Sequence, residues 1–89
     1  MIADEETLVE IQIVTERERS LVLHNDDHNT FDHVIECLVG ICNHDPIQAE
    51  QCAMIVHTKG KCTVKHGAFS DLAWRKEMLL AKGLSVMLV

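Results

Sequence analysis

Changes in the spacing of apolar and polar positions mark out six elements along the chain. Residues 20–25, SLVLHN, are an apolar run rich in branched side chains and closed by turn formers, the pattern of a short buried strand. Phe31, Val34, Ile35, Leu38, Ile41 and Cys42 then recur at intervals of three and four, so they share one face of a helix from Phe31 to Asn43. Asn29 or Thr30 is placed to cap its start. Asp45-Pro46-Ile47-Gln48 offers a capping acid, a proline at the first helical position and a glutamine that completes a capping box. The second helix that starts there runs through Cys52, Ile55 and Val56 to about Thr58, with Gly60 as its left-handed stop. KCTVKH, residues 61–66, alternates with Cys62 and Val64 inward and predicts a half-exposed strand. A third helix over about residues 68–82 carries Phe69, Leu72, Ala73, Leu79 and Leu80, Gly83 ends it, and LSVMLV, residues 84–89, closes the chain as a strand.

The order strand-helix-helix-strand-helix-strand predicts an α+β two-layer sandwich, a three-stranded antiparallel sheet with three helices over one face. With 89 residues there is room for one domain. A domain of that size buries about 60 to 65% of its unfolded surface, so a functional site is expected as a surface groove. Residues 18–89 form the expected core domain and residues 1–17 an acidic, flexible N-terminal extension. Within the extension only TLVEIQIV, residues 7–14, shows apolar alternation, and it reads as an edge strand or a loosely attached arm.

Charge removes several classes of partner. The net charge is −6, and residues 1–20 hold six acids against Arg17 and Arg19. No cluster of positive charge suits a phosphate backbone, so nucleic acid is not an expected partner. No apolar run is long enough to span a bilayer and no secretory pattern opens the chain, so no membrane association and a cytoplasmic location are expected. In that setting Cys37, Cys42, Cys52 and Cys62 read as small core hydrophobes rather than a disulfide framework.

Between the first strand and the first helix lies a denser polar cluster than a turn needs: Asn25, Asp26, Asp27, His28, Asn29 and Thr30. A calcium loop would use Asn25, Asp27, Asn29 and Glu36, but Thr30 stands where the sharp turn needs glycine, the first ligand is no carboxylate, and no helix precedes it. Zinc would need paired ligands, and Cys37, Cys42, His57, Cys62 and His66 are not spaced that way. Catalysis would draw on Asp26, Asp27 and His57 with Cys62 or Ser70 as nucleophile, yet neither sits in a nucleophile turn, and no enzyme is expected. Capping explains Asn29 or Thr30 and leaves two adjacent acids unaccounted for.

Three segments in register change the reading: LVLHNDDHNTFDHVIECL at 21–38, AEQCAMIVHTKGKCTV at 49–64 and KGLSVMLV at 82–89. Together they resemble the ClpS family, adaptors that bring N-degron substrates to Clp AAA+ proteases. The resemblance covers residues 20–89. It implies recognition of a free N-terminal Leu, Phe, Tyr or Trp, docking on the N-terminal domain of a Clp ATPase, and no cofactor or metal. Carried over residue by residue, Asn25, Asp26 and His57 surround the substrate's α-amino group. Asp27 and Asn29 engage its backbone, and Phe31, Val34, Ala53, Val56 and Leu84 form the side-chain pocket. The sequence departs from the commonest family pattern: Asn29-Thr30-Phe31 stands in place of the usual Thr-Pro-Met, so Asn29 replaces a hydroxyl, Ala53 stands where many members carry methionine, and His33 where many carry phenylalanine. The alternative is a small structural or protein-interaction domain of similar fold without amine recognition.

The chemistry agrees with the resemblance. An α-ammonium group carries three donors and a charge, so it requires acceptors and a carboxylate at one point. Asn25 and neutral His57 supply acceptors and Asp26 supplies charge. Ala53 and His57, four apart on one helix, present apolar floor and polar rim on the same face.

Overall fold

The computed structural model describes residues 17–89. The expected N-terminal extension, with TLVEIQIV, therefore lies outside the described residues apart from Arg17. The elements are β1 (Glu18–His24), α1 (Phe31–Cys42), α2 (Pro46–Lys59), β2 (Lys61–Ala68), α3 (Phe69–Ala81) and β3 (Ser85–Leu88). They follow the predicted order. Both neighbours of β1 pair with it antiparallel, giving the sheet order β2-β1-β3.

The boundaries of α1 and α2 have local causes. Thr30, not Asn29, caps α1, its hydroxyl accepting from the His33 amide at 3.1 Å. Asn43 ends that helix in the left-handed region, φ 57°, where its amide donates to the Leu38 carbonyl. Asp45 caps α2 through the Gln48 amide at 2.9 Å with Pro46 in the first turn, as the capping pattern predicts. Gly60, φ 93°, stops α2 and turns the chain into β2.

Leu21 and Leu23 of β1, Val64 of β2 and Val86 of β3 point into the core. They meet Leu38, Ile41 and Cys42 of α1, Ala49 and Val56 of α2, and Leu72 and Leu79 of α3. Helix α3 packs across all three strands, α2 packs on β2, and α1 bridges the other two helices. Of the cysteines, Cys37 and Cys42 are the core residues expected, whereas Cys52 and Cys62 are only half-buried. Several positions read as helix faces are exposed instead: Phe31, Ile55, Phe69 and Leu80 all lie at the surface. Their spacing is right, but the core of so small a domain closes before it reaches them.

Strand pairing extends beyond the predicted limits. β1 begins at Glu18 because it pairs through to Ala68, and Ser20 exchanges amide and carbonyl with Val89 at 3.0 and 2.8 Å. Opposite Leu21 and Val22 the register slips, so Val64 is an extra residue in β2. A bulge frees a carbonyl, and the buried His44 ring takes it up, Nε2 donating to the Val64 oxygen. On α3, Arg75 is buried despite its charge. Its Nη1 donates to the Ile41 carbonyl at the end of α1 and its Nε to Asp71 at 3.2 Å. That arginine lashes α3 to α1 where caps alone would not.

Candidate functional site

The polar segment 25–29 between β1 and α1 is held by three tethers. The Asn25 amide donates to the Gly60 carbonyl at 2.9 Å, which sets the segment against the end of α2, one turn past His57. Inside the segment, Asp26 Oδ1 accepts from the amides of His28 and Asn29, each at 2.9 Å, and Oδ2 accepts from Asn29 Nδ2 at 2.8 Å. At the far side Asn29 Nδ2 also donates to the Gly83 carbonyl at 2.9 Å, and His33 Nε2 donates to that of Lys82 at 2.8 Å. A carbonyl can only accept, so His33 carries its proton on Nε2. The segment thus spans from the α2–β2 turn to the α3–β3 turn and is anchored at both.

Asp26 is therefore the internal pivot of this loop. Burial works to raise its carboxyl, but the His28 and Asn29 backbone amides, the Asn29 side chain and the His28 charge together hold it below its ordinary value. It is ionised at neutral pH, and three of its lone-pair positions are engaged by the loop itself.

Below and beside the loop opens a groove of about 530 Å³. Asn25, Asp26, Asp27, Asn29 and His57 bring polar groups to it, and Phe31, Val34, Ala53, Met54 and Val56 bring apolar surface. Ala53 and Val56 are buried and make the floor, while Asn25, Asp27, Phe31, Met54 and His57 are exposed and make the rim. Nine of the ten residues singled out from the sequence line this one space. The tenth, Leu84, is buried in the core and borders a smaller void of about 30 Å³ beneath the loop, shared with Asn25, Asp26 and Asn29.

Met54 lines the groove and was not among the expected residues. Its position next to Ala53 on the exposed side of α2 was the available signal. His33 also gains a role, as the tie between the start of α1 and the α3–β3 turn. Chemically, the rim gathers two carboxylates, amide oxygens and an imidazole over an apolar hole. Such a site favours a cationic group carried on a bulky apolar body.

An α+β sandwich with an acid-rimmed apolar groove at the junction of its loops is the class that fold and site define. The chain belongs to the ClpS family: the sequence model described as "ATP-dependent Clp protease adaptor protein ClpS" matches residues 15–86. It is 33% identical over 57 residues to the ATP-dependent Clp protease adapter protein ClpS of Nitratidesulfovibrio vulgaris, a match over 64% of this chain and 57% of that relative. The chain thus spans little more than half the length of that curated relative. Among solved structures, Agrobacterium tumefaciens ClpS2 bound to L-phenylalaninamide superposes with a TM-score of 0.66 over 83% of this chain and 94% of that one, at 15% identity. At that identity the match speaks for the fold. Among the described residues no helix is long and apolar enough to cross a membrane.

Proposed function

We propose that this protein is a non-catalytic adaptor that captures the free N-terminal residue of a substrate protein, Leu, Phe, Tyr or Trp, and delivers it to a Clp ATPase-protease. The observation that carries the reading is the convergence of nine expected residues on one groove, polar at the rim and apolar at the floor. The α-ammonium sits among the Asn25 and His57 acceptors with the Asp26 charge behind them. Asp27 and Asn29 lie where the first peptide groups leave the site. The side chain enters between Phe31, Val34, Ala53 and Val56, with Met54 at its edge.

The relative from Agrobacterium tumefaciens, bound to L-phenylalaninamide, supports this use of the groove. That ligand is an aromatic residue with a free amine and an amide where a second residue would begin. Docking on the N-terminal domain of the ATPase belongs to the same proposal and rests on family membership.

Titration with peptides that differ only in the first residue tests the pocket. Full burial of a large apolar side chain contributes about 1.5 to 3 kcal/mol. Phe or Leu is therefore expected to bind about 10- to 150-fold tighter than Gly or Ser. Equal affinities would reject the side-chain pocket.

A further inference from the structure

The helices meet the sheet on the face that carries Leu21, Leu23, Val64 and Val86. Alternation turns the positions between these to the opposite face, and among the described residues no element covers it. Thr63, Val22 and Met87 stand abreast there, one from each strand, because Val22 pairs with both of the others. His24 pairs with Lys61 one step further along, and Val89 lies at the other end beside Ser20. These side chains border a shallow groove of about 440 Å³. Met87 and Val89 are 55% and 63% exposed, so the face shows an apolar stripe. Lys61 and Lys59, both exposed, flank the turn at its far end. Such a face suits an extended segment with apolar residues in alternation and acids at one end.

A segment of that chemistry directly precedes β1 in the sequence. Val9, Ile11 and Ile13 alternate with Glu10 and Gln12, and Asp4, Glu5 and Glu6 come before them. The branched residues favour an extended chain. Thr15, Glu16 and Arg17 join Val14 to β1. Three extended residues span up to about 10 Å, which is about the spacing of two stacked β layers. Residues 7–14, extended, reach about 26 Å, slightly more than β1 itself. Running back over β1, the segment brings Ile13 to the level of Ser20 and Val89, Ile11 to Val22 and Met87, and Val9 to His24. Its acids then arrive at Lys59 and Lys61.

We propose that the open face of the sheet is the docking site for residues 7–14 of this same chain, laid across it as an extended strand with Val9, Ile11 and Ile13 against Val22, Met87 and Val89. The short tether to β1 makes the contact intramolecular, so a modest apolar area suffices to hold it. Docking removes the exposed stripe from water and places the acids of the segment beside the lysines of the α2–β2 turn. The proposal stands independently of what the groove beside the 25–29 loop binds.

The experiment uses Met87 as the reporter. Met54 and Met78, on helices α2 and α3, are 49% and 46% exposed against 55% for Met87, so a bare sheet face predicts sulfoxide formation at similar rates at all three. The folded 89-residue chain is treated with tert-butyl hydroperoxide over a range of protein concentrations, and each methionine sulfoxide is followed by peptide mass. The expected result is that Met87 oxidises severalfold more slowly than Met54 and Met78 at every concentration. In the double variant Ile11→Asp, Ile13→Asp it should oxidise at their rate. Equal rates in the wild type would overturn the proposal, because the face is then bare. Protection that survives the double variant would overturn it in favour of another occupant, and protection that fades on dilution in favour of a second copy of the chain. The wild-type comparison decides whether the face is covered even if the variant folds poorly, and a charge-conserving variant, Ile11→Ser, Ile13→Ser, repeats the assignment to residues 7–14.

Discussion

Replacing Asp26 by asparagine tests whether this residue is the pivot of the 25–29 loop. The carboxylate accepts three hydrogen bonds, from two backbone amides at 2.9 Å and from Asn29 Nδ2 at 2.8 Å. An asparagine that keeps its oxygen toward the two amides turns its own NH₂ against the Asn29 NH₂, so one bond is lost outright and two lose their charge. Hydrogen bonds to charged groups are worth about 1.5 to 3 kcal/mol and neutral ones about 1, and in this half-buried loop water replaces part of the loss. The net destabilisation at pH 7 is therefore about 1 to 2 kcal/mol. For a domain of this size each kcal/mol lowers Tm by about 4 to 8 °C.

The pH dependence has a definite sign. The Asp26 carboxyl is held below its ordinary value of 3.8 in the folded chain. Its contribution is thus complete above the unfolded carboxyl's range and is lost as pH falls through the lower folded value. Thermal unfolding of wild type and Asp26→Asn, followed by circular dichroism at pH 7 and near about pH 2.5, should show a gap that shrinks at low pH. Asp71, also held below its ordinary value, first by its hydrogen bond to Arg75, titrates alike in both proteins and cancels. An equal gap at the two pH values, or none at pH 7, would refute the pivot role.

Two further changes probe the anchors around the groove. Arg75→Met strands the buried Ile41 carbonyl, and should lower the urea-unfolding stability by about 1 to 3 kcal/mol. Gly60→Ala meets no neighbouring atom within 4 Å but must hold φ 93°, so it should cost about 1 to 2 kcal/mol. Gly60→Asn should lose less by the same urea titration, because asparagine tolerates the left-handed region; equal losses would point to a packing cause instead.

The order of elements was readable because several are bounded by local chemistry: Asp45 and Pro46 start α2, Gly60 ends it, and the apolar run in 20–25, closed by turn formers, marks β1. What escaped the sequence depends on partners distant along the chain. The Val64 bulge and the His44 ring that caps its carbonyl are a tertiary pair. Arg75 looks like any surface cation of a helix until Ile41 is seen beside it. In the site, the residue types were legible as a surplus of acceptors, since capping needed only Thr30. The division of labour was not: Asp26 organises its own loop, Asn29 ties it to Gly83, and Leu84 lies below the floor.

The amine clamp itself is tested most directly by a pair of peptides beginning with Phe, one with a free N-terminus and one acetylated, titrated calorimetrically against the full-length protein. Acetylation removes the charge and at least two charge-assisted hydrogen bonds, each worth about 1.5 to 3 kcal/mol, while leaving the aromatic side chain unchanged. The free peptide should bind at least about a hundredfold more tightly. Comparable affinities would mean that the rim of Asn25, Asp26 and His57 does not read an α-ammonium group.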